Sequence, residues 1–463
     1  NWNSSHSSSG TRRSTIITPA VYPTSPNEMT SKAVAVLRPA VDQARGTGAP
    51  VRRSLGVLAL GVGCADGLLA GLAVVEEIGL PEQADQVAHT DSLLLTYRGT
   101  LRVRAGQLRA GVDDLATHAA RQRADGDLTV FPTEHYMLAF GRYLTGSWAD
   151  ALISADHTLV VSNSLDQPYG LSPGHAVAAM VHAQRGQAEL AESFLDACRR
   201  YAPLFPEQNC LYPVLAAATL AQARADLPAM REALQALASA EATPGTRTLW
   251  AVLWVPLYAE AFTTTDRPTN ESRPPIEEAL HTFDQLADRA PALTTTSHWL
   301  HARAAAERGD TDAARDLYRQ AVAAPVVEGD DIPLHRAFAH RDLAALLLAA
   351  GGFADRREAD GQLREAHRIF TMLGAVPYAE RAAQALARLG TTTPVPPAGG
   401  REARLHQLTD REQAVAHLAA QGLTNQEIAR ELFGSTKTVE YHLGHVYTKL
   451  DLTGRRQLRT AGV

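Results

Sequence analysis

Apolar residues between positions 408 and 458 recur with the spacing of three helices that each bury one face. The first stretch stops at Gly422, a residue that suits the left-handed conformation at a helix end, and the second stops at Gly434. The positions expected to face inward are Val415, Leu418 and Ala419, then Ile428, Ala429 and Leu432, and finally Val439, Leu443, Val446 and Leu450. The pattern predicts a compact unit of short helices.

Helix-start signals precede all three stretches. A threonine hydroxyl and a carboxylate three residues later can each bond an unpaired amide at a helix start. This pair occurs twice, as Thr409 with Glu412 and as Thr424 with Glu427. Ser435 is a good cap for the third helix. The predicted helices therefore have defined beginnings as well as apolar faces.

The third helix combines its apolar stripe with a polar face. A helical wheel places Lys437, Tyr441, Gly444 and Thr448 opposite the stripe, with Glu440 and His445 on its flanks. Two short helices joined by a tight turn, the second bearing a polar face, fit a helix-turn-helix whose second helix enters the major groove of DNA. A small helical bundle with a solvated face has the same spacing. Spacing alone leaves both interpretations open.

A turn signature recurs along the middle of the chain, between helical stretches rich in alanine and leucine. Its glycine stands at Gly106, Gly146, Gly186, Gly309 and Gly351, and a glycine-free variant places Asp226 in the series. The first two intervals are both 40 residues, and the skipped position falls in a Pro-rich stretch at 262–280. A period of this length with a helix on each side predicts an α-solenoid of stacked helix pairs with a concave surface.

Small residues support this interpretation. Five residues after four of the glycines stand Gly111, Ala151, Ala191 and Ala314, which would let paired helices approach closely. About seven or eight pairs fit the length. The array resembles tetratricopeptide-like repeats, although its interval exceeds the ~34 residues of the standard repeat.

Composition defines the segments that flank the array. Residues 1–30 are rich in Ser, Thr and Pro with no apolar pattern, so we expect disorder there. Residues 391–403 contain prolines and glycines typical of a linker. The predicted organisation is therefore a disordered segment at 1–30, a helical-repeat domain at 31–390, a linker at 391–403 and a terminal helical domain at 404–463.

The most apolar stretch, Leu55–Val75, contains Asp66 and five glycines. A membrane span needs about 20 apolar residues with few or no charges. A buried helix pair is therefore the favoured interpretation, and no membrane partner is expected.

Charge differs between the two predicted domains. The net charge of the chain is -6, but residues 401–463 contain nine Arg and Lys against seven Asp and Glu, which is +2 and leaves -8 for the remainder. Lysine occurs only at Lys32, Lys437 and Lys449, and none follows the glycine of a phosphate-cradling GxxxxGK[ST] loop. A modest basic excess at the terminal domain suits phosphate contacts, and no nucleotide-hydrolysis site is predicted.

Residues that could carry other chemistry form no informative pattern. Cys64, Cys198 and Cys210 are an odd number without CxxC spacing, so we expect buried free thiols. His335, His340 and His367 are too widely spaced to form a convincing metal site. Core packing is the favoured role of Trp250, Trp254 and Tyr258, with ligand stacking as the alternative. Neither an enzyme nor a cofactor is predicted.

The terminal domain resembles the LuxR-type helix-turn-helix. The match runs through Leu408-Thr409, Arg411-Glu412, Gly422, Asn425, Glu427-Ile428-Ala429, Leu432, Ser435, Lys437-Thr438-Val439, His442, Lys449-Leu450 and Arg455. The resemblance implies a four-helix domain that binds double-stranded DNA, commonly as a homodimer. The implied fold class is all-α: a tetratricopeptide-like α-solenoid followed by a four-helix LuxR-type domain.

The resemblance also implies roles for individual residues. Glu440, Tyr441 and Gly444 would face bases, while phosphate contacts would come from Lys437, Thr438, Lys449, Thr424 and Asn425. Dimer contacts would involve Leu452, Arg455 and Leu458. Gly454 departs from the family's usual serine or threonine cap, and the chain ends at Val463, which leaves a short fourth helix. Gly444 has no side chain, so base reading would fall to Glu440 and Tyr441.

The end of the array, at residues 365–390, resembles the end of the helical region in large ATP-binding LuxR-family regulators. In that group an ATPase module precedes a solenoid that senses a ligand or protein. We therefore expect a cytoplasmic transcription regulator with a small-molecule or protein effector on its solenoid and RNA polymerase as a further candidate partner. The alternatives are an interaction scaffold with a degenerate DNA-binding domain, and a C-terminal fragment of a larger ATPase regulator.

Overall fold

A computed structural model describes most of the chain. The described residues are 26–46, 51–125, 132–204, 211–238, 250–263, 276–327, 329–390, 408, 410–432, 436–450, 452 and 454–460. Every regular element within these ranges is a helix, which confirms the all-α fold class. Cys210, most of the predicted Pro-rich loop and the predicted linker at 391–403 lie outside the described residues.

The described helices are numbered here in chain order. In chain order they are α1 (Pro26–Gly46), α2 (Arg52–Ala65), α3 (Leu68–Glu76), α4 (Ser92–Arg104), α5 (Leu108–Asp125), α6 (Pro132–Leu144), α7 (Trp148–Ser164), α8 (Leu171–Gln184), α9 (Ala188–Tyr201), α10 (Leu211–Ala223), α11 (Leu227–Ala238), α12 (Ala251–Phe262), α13 (Ile276–Ala287), α14 (Thr294–Glu307), α15 (Thr311–Ala323), α16 (Pro333–Ala350), α17 (Phe353–Leu373), α18 (Val376–Arg388), α19 (Asp410–Ala420), α20 (Asn425–Glu431) and α21 (Thr436–Leu450). A 3₁₀ helix at Arg455–Thr460 follows α21.

The first helix begins earlier than the sequence predicts. Disorder was expected through residue 30, but α1 starts at Pro26. Proline is favoured at the first helical position because its missing amide has no intrahelical partner there. The prediction is therefore wrong for residues 26–30, and residues 1–25 lie outside the described part of the chain.

The most apolar stretch folds as the helix pair α2 and α3, which confirms the favoured interpretation. Gly67 separates the two helices at φ +106°. A side chain on Gly71 would place its Cβ 2.8 Å from the Cα of Gly63, so these glycines allow two backbones to pack closely. Within the described ranges, no helix has the length and apolarity needed to cross a membrane.

Helices α4 to α17 form seven consecutive pairs among the described residues. In each of these pairs the two helices pack against each other, and successive pairs stack. The first helix of a pair lies inside and the second outside: thirteen of the fourteen residues of α8 are buried, but only three of α9 are. This inner and outer arrangement is that of the predicted solenoid.

Left-handed residues connect the paired helices. Gly106, Gly146, Gly186 and Gly309 have φ values of +81°, +81°, +77° and +82°, which confirms the glycine turns. The glycine-free turn differs by one residue from the prediction, because Ala225 takes the left-handed conformation at φ +57°. Asp226 instead caps α11, accepting a hydrogen bond from the amide of Ala229 at 3.0 Å.

The small residues after the turns lie at the helix contacts. Ala151, Ala191 and Ala314 are fully buried. A Cβ on Gly111 would lie 2.8 Å from the backbone nitrogen of Val103 in the preceding helix. The predicted close approach of paired helices is therefore confirmed.

The concave surface expected of the solenoid is filled by the chain itself. The later helix pairs coil back onto the turns of the earlier ones, so Gly106 lies against Leu293 and Gly186 lies against Pro377. Arg381 donates a hydrogen bond to the carbonyl of Ala223 at 2.8 Å. The sequence did not predict this closure, because it joins residues more than 150 positions apart.

The inner helix α12 lies at the centre of this coil. All twelve of its residues are buried, and Trp250, which precedes it, packs against Phe140 with ring centroids 4.8 Å apart. Trp254 and Tyr258 are also buried. The prediction that these aromatic residues pack in the core is confirmed.

Polar side chains join the inner helices along the coil. Gln184 donates to Gln222 at 3.3 Å, and Gln222 donates to Glu260 at 2.5 Å. Arg341 Nη2 lies 2.9 Å from Glu260 Oε1. Tyr378 donates to Gln222 at 3.2 Å from the returning end of the array. Since buried polar groups need partners, these bonds fix how the coils sit on each other.

The remaining sequence candidates occupy structural positions. Cys198 is buried near Ser172, with Oγ and Sγ 3.4 Å apart, whereas Cys64 is only half-buried and departs from the expectation. His335 is buried with its ring nitrogen 3.0 Å from the hydroxyl of Thr296, and His340 Nδ1 lies 2.5 Å from Gln362 Oε1.

Two glycine turns offer a test of closure. Gly106 and Gly309 share nearly the same φ, but a Cβ on Gly106 would lie 2.5 Å from Leu293, whereas Gly309 has open space around it. We expect Gly309→Ala to destabilise the chain by about 1 kcal/mol, from the left-handed backbone alone. Gly106→Ala should lower the free energy of unfolding by about 1–3 kcal/mol more, because its methyl group would overpack the contact with Leu293.

Urea denaturation of both variants, followed by circular dichroism, measures this difference. Wild-type chain provides the reference, and equal midpoints for the two variants would contradict the packing of the second coil against Gly106.

Candidate nucleic-acid interface

The C-terminal helices α19 to α21 enclose a separate apolar core. The residues predicted to face inward are all buried: Val415, Leu418, Ala419, Ile428, Ala429, Leu432, Val439, Leu443, Val446 and Leu450. Helical periodicity found them because each helix is short and buries one continuous stripe. The predicted three-helix arrangement is confirmed.

The start of α20 carries the predicted capping box. The amide of Glu427 donates to the hydroxyl of Thr424 at 3.2 Å, and the amide of Thr424 donates to Glu427 Oε2 at 2.6 Å. Two amides that would otherwise lack partners are satisfied together. The hydrogen bonds to Thr424 hold the pKa of Glu427 below its usual range. In the other predicted box, Thr409 lies outside the described residues.

The turn between α19 and α20 is built around Gly422, at φ +98°. The amide of Leu423 bonds the carbonyl of Leu418 at 3.2 Å, which closes the end of α19. This confirms the predicted helix stop. The turn before α21, residues 433–435, lies outside the described part, and the cap predicted at Ser435 falls within it.

One face of α21 is open to solvent. Val439, Leu443 and Val446 turn into the core, while Glu440 and Gly444 are exposed. Nothing lies within 4 Å of the position a Cβ on Gly444 would take. The backbone of α21 includes Lys437, Thr438, Tyr441 and Lys449, but their side chains are not among the described ones.

The two other candidate DNA contacts stand together at the start of α20. Thr424 is exposed and Asn425 is half-buried. Arg455 Nη1 donates to Asn425 Oδ1 at 2.7 Å, which ties the C-terminal 3₁₀ helix to α20. Arg455 therefore positions Asn425 within the same domain, a contact that the sequence did not predict.

The residues expected to form dimer contacts differ in how deeply they are buried. Leu458 is fully buried in the domain core and offers no surface to a second copy, so the prediction is wrong for this residue. The short 3₁₀ helix that follows Gly454 turns Leu458 inward against α19. Leu452 is half-buried, and it stays a candidate for such a contact.

The domain rests on the outer face of α7. Ile153 of α7 belongs to the apolar core of α19 to α21 and is only 6% exposed. Nine residues of α7 are buried, against three of the neighbouring outer helix α9. The domain covers Ile153, and the segment around Gly170 covers Thr158 and Ser162 on the same helix.

Charged and polar contacts surround Ile153. His417 of α19 lies 3.3 Å from Asp150 of α7. At the end of α20, Glu431 pairs with Arg123 of α5, and its backbone carbonyl bonds the ring of His157. Sequence reasoning missed this interface because its partners are more than 260 residues apart and follow no shared period.

Contacts and burial at this interface shift the pKa values of Asp150 and His157. Burial raises the pKa of Asp150, but the hydrogen bond from His417 and the charge of Arg142 outweigh it and leave the pKa lowered. Burial lowers the pKa of His157, against the opposing effect of its bond to Glu431. The docked arrangement thus favours an ionised Asp150 and a neutral His157.

A buried polar cluster lies behind the same face. Ser92 Oγ is 2.9 Å from His118 Nδ1, and His118 Nε2 is 3.3 Å from Glu134 Oε2. Burial raises the pKa of Glu134 to about 8 and lowers that of the adjacent His135 to about 3. Ser92, His118 and Glu134 are at most 7% exposed, so this arrangement serves packing and presents no nucleophile to a substrate.

The comparison with protein families identifies the terminal domain. Residues 406–460 match the family described as bacterial regulatory proteins, luxR family. The matched region contains α19, α20, α21 and the final 3₁₀ helix. The chain therefore carries a LuxR-family helix-turn-helix domain at its C terminus, behind a large helical region.

Three similar proteins match this chain over short segments of 51 to 59 residues. An HTH-type transcriptional regulator of Mycobacterium tuberculosis is 51% identical over 51 residues, which is 11% of this chain and 6% of that protein. The oxygen regulatory protein NreC of Staphylococcus haemolyticus is 47% identical over 51 residues, 11% of this chain and 24% of its own. The transcriptional regulatory protein LiaR of Bacillus subtilis is 44% identical over 59 residues, 12% and 28% of the two chains.

Ile153→Ala tests the docking of the domain on α7. Truncating this buried side chain removes apolar contacts from the core of the other domain, at a cost of about 2–5 kcal/mol for a fully buried isoleucine. We expect faster amide hydrogen exchange in α19, because the domain leaves α7 more often.

Leu190→Ala is the matched control, since Leu190 on the neighbouring outer helix is 45% exposed. Exchange in α19 should be unchanged by the control. An Ile153→Ala variant with wild-type exchange in α19 would argue against a stable docked position.

Proposed function

We propose that this protein is a sequence-specific DNA-binding transcription regulator that acts in the cytoplasm. The observation that carries the proposal is the exposed face of α21, opposite a fully buried stripe, in a domain matched to the LuxR family. The proposed division is a helical-repeat domain at 31–390, a linker at 391–403 and a DNA-binding domain at 404–463.

In this proposal α21 is the recognition helix and enters the major groove. Glu440 and Tyr441 read base edges at the exposed face, where Glu440 can accept from the amino group of cytosine. Gly444 lets the groove approach the helix backbone, because no side chain projects there. Lys437, Thr438 and Lys449 bind phosphates on either side of the groove.

The start of α20 supplies the second set of phosphate contacts. Thr424 and Asn425 stand there, and Arg455 holds the side chain of Asn425 in place. A phosphate would therefore meet a positioned amide side chain next to a cationic guanidinium.

The docked position keeps the recognition helix available. The domain contacts the solenoid through His417 on α19 and Glu431 at the end of α20, whereas Glu440 and Gly444 on α21 remain exposed. The solenoid thus acts as a platform that presents the DNA-binding face to solvent. This orientation supports DNA binding without release of the domain.

A homodimer on paired half-sites is the proposed assembly on DNA, with centres about one helical turn or a multiple apart. Leu452 and Arg455, both half-buried, are the remaining candidates for its contact, because Leu458 is buried within one copy. The solenoid binds a small-molecule or protein effector that changes occupancy of DNA, and RNA polymerase is the proposed target of a bound dimer.

Selection from a random duplex library, followed by footprinting, tests the proposal. We expect one preferred sequence with protected half-sites. Lys437→Glu and Lys449→Glu should weaken binding to every sequence. Each should also reduce the slope of log affinity against log salt concentration by about one. Glu440→Ala should relax preference at one base pair, at a cost of about 1–3 kcal/mol.

Arg319→Ala is a charge-removing control far along the chain, because Arg319 pairs with Glu358 on the exposed outer side of the solenoid. Its affinity for DNA should match that of the wild type. Binding that is indifferent to sequence would favour the alternative, a scaffold with a degenerate DNA-binding domain.

A further inference from the structure

A cleft of about 200 Å³ opens where the later helix pairs of the solenoid pack on the turns of the earlier ones. We call the earlier and the later pairs the two coils, and the contact between them the seam. It lies beside the turn in which Gly106 meets Leu293. Its walls are formed by Leu72, Val75, Glu76, Leu80, Glu82, Arg98, Arg102, Gln107 and Arg289. Residues from α3, from α4 and from the turn after α13 therefore meet around one space.

One wall of the cleft is apolar and the other is charged. Leu72, Val75 and Leu80 form the apolar part. The charged part has three arginines and two glutamates, and Asp114 behind it pairs with Arg98 and Arg102, so the charges of the cluster balance. Small-molecule sites characteristically combine apolar walls with a few placed polar groups. A small anion with an apolar body that takes the place of the Glu82 carboxylate would keep this balance.

The arginines differ in how firmly they are held. Arg98 is buried and bonds both carboxylate oxygens of Asp114, at 2.8 and 2.6 Å. Its guanidinium is therefore already engaged within the protein. Arg102 bonds Asp114 at 3.0 Å with one nitrogen and Glu82 at 2.7 Å with the other. Only the second partner of Arg102 faces outward.

Glu82 is a partner that a ligand could replace. The side chain of Arg102 is 9% exposed, whereas that of Glu82 is 80% exposed. The Glu82 carboxylate is largely solvated, so its replacement would leave the other bond of Arg102, to Asp114, in place. A carboxylate that enters the cleft would offer Arg102 the same oxygen atoms while its apolar body leaves water.

Arg289 supplies a second cation from the other coil. Its side chain is exposed, and within the described ranges of the chain no ion pair engages it. Arginine binds carboxylates well because its planar fork matches their geometry. A carboxylate between Arg102 and Arg289 would join α4 to the turn after α13.

We propose that this cleft binds a small monocarboxylate with an apolar body, which displaces Glu82 from Arg102 and pairs with Arg289. Bound ligand bridges the two coils and stabilises their closure. The site gives the effector of the proposed regulator a chemical class and so rests on the proposed function for its role. Binding itself can be measured without DNA.

Helix α5 links this cleft to the docked domain. It carries Asp114, which holds Arg98 and Arg102, and Arg123, which pairs with Glu431. Asp114 and Arg123 are nine positions apart, about 13 Å along one helix. A ligand that orders the cleft therefore acts on an element that also contacts the DNA-binding domain.

Isothermal titration of the full chain with benzoate and with hexanoate tests the proposal. We expect saturable binding of at least one of these acids, a raised melting temperature, and no binding of benzamide or hexanamide. Absence of binding up to tens of millimolar, as an order of magnitude for weak ligands, or equal binding of acid and amide would overturn it.

Substitutions at the exposed residues Glu82 and Arg289 should change the affinity for the carboxylate in opposite directions. Glu82→Gln removes the competing carboxylate and should tighten binding about two- to fivefold, whereas Arg289→Ala should weaken it by a similar factor. Arg289→Lys should recover part of the loss, and the control Arg319→Ala should have no effect. Unchanged affinity in both Glu82→Gln and Arg289→Ala would overturn the assignment.

The DNA-binding experiments remain independent of this result. Carboxylate binding without sequence-specific DNA binding would leave the cleft assigned and remove the proposed regulator. Sequence-specific DNA binding without carboxylate binding would remove only the cleft.

Discussion

The structure depends on the return of the later helix pairs onto the glycine turns of the earlier ones. A residue with a side chain at Gly106 would meet Leu293, and Gly146 and Gly186 are similarly covered by Leu373 and Pro377. These glycines thus serve two requirements at once, a left-handed backbone and a close contact between coils. The inner helices α8 and α12 are consequently buried almost completely, and the later helix pairs occupy the expected open groove.

The closed coil gives the C-terminal domain a fixed surface on which to rest. Apolar contact through Ile153 and pairing between His417 and Asp150 hold α19, while Arg123 and His157 hold the end of α20 at Glu431. None of these contacts uses the exposed residues of α21. The geometry therefore combines a held domain with an accessible recognition helix, so that a change within the solenoid could alter DNA binding through α5 and α7.

Local signals in the sequence predicted most of the individual elements. The capping box at Thr424, the helix stop at Gly422 and the buried stripe of α21 all depend on residues within a few turns, and the structure confirms them. The repeat was visible because each pair of helices needs the same turn and the same small residue.

Contacts between distant residues could not be predicted in this way. Closure at Gly106 and docking at Asp150 depend on how many helix pairs complete one turn of the coil, a quantity that no local pattern encodes. Leu458 was misassigned for a related reason: resemblance supplied a helix for a dimer contact, but the short final segment folds inward to complete its own core. The burial of Leu458 therefore depends on tertiary packing that the terminal residues alone do not reveal.

Hydrogen exchange of the full chain, with and without its selected DNA duplex, tests the central claim most directly. The account predicts that DNA slows exchange in α21 and at the start of α20, while exchange in α7 stays as slow as in the free protein. Faster exchange in α7 on DNA binding would contradict it, because the domain would then have to leave the solenoid in order to bind.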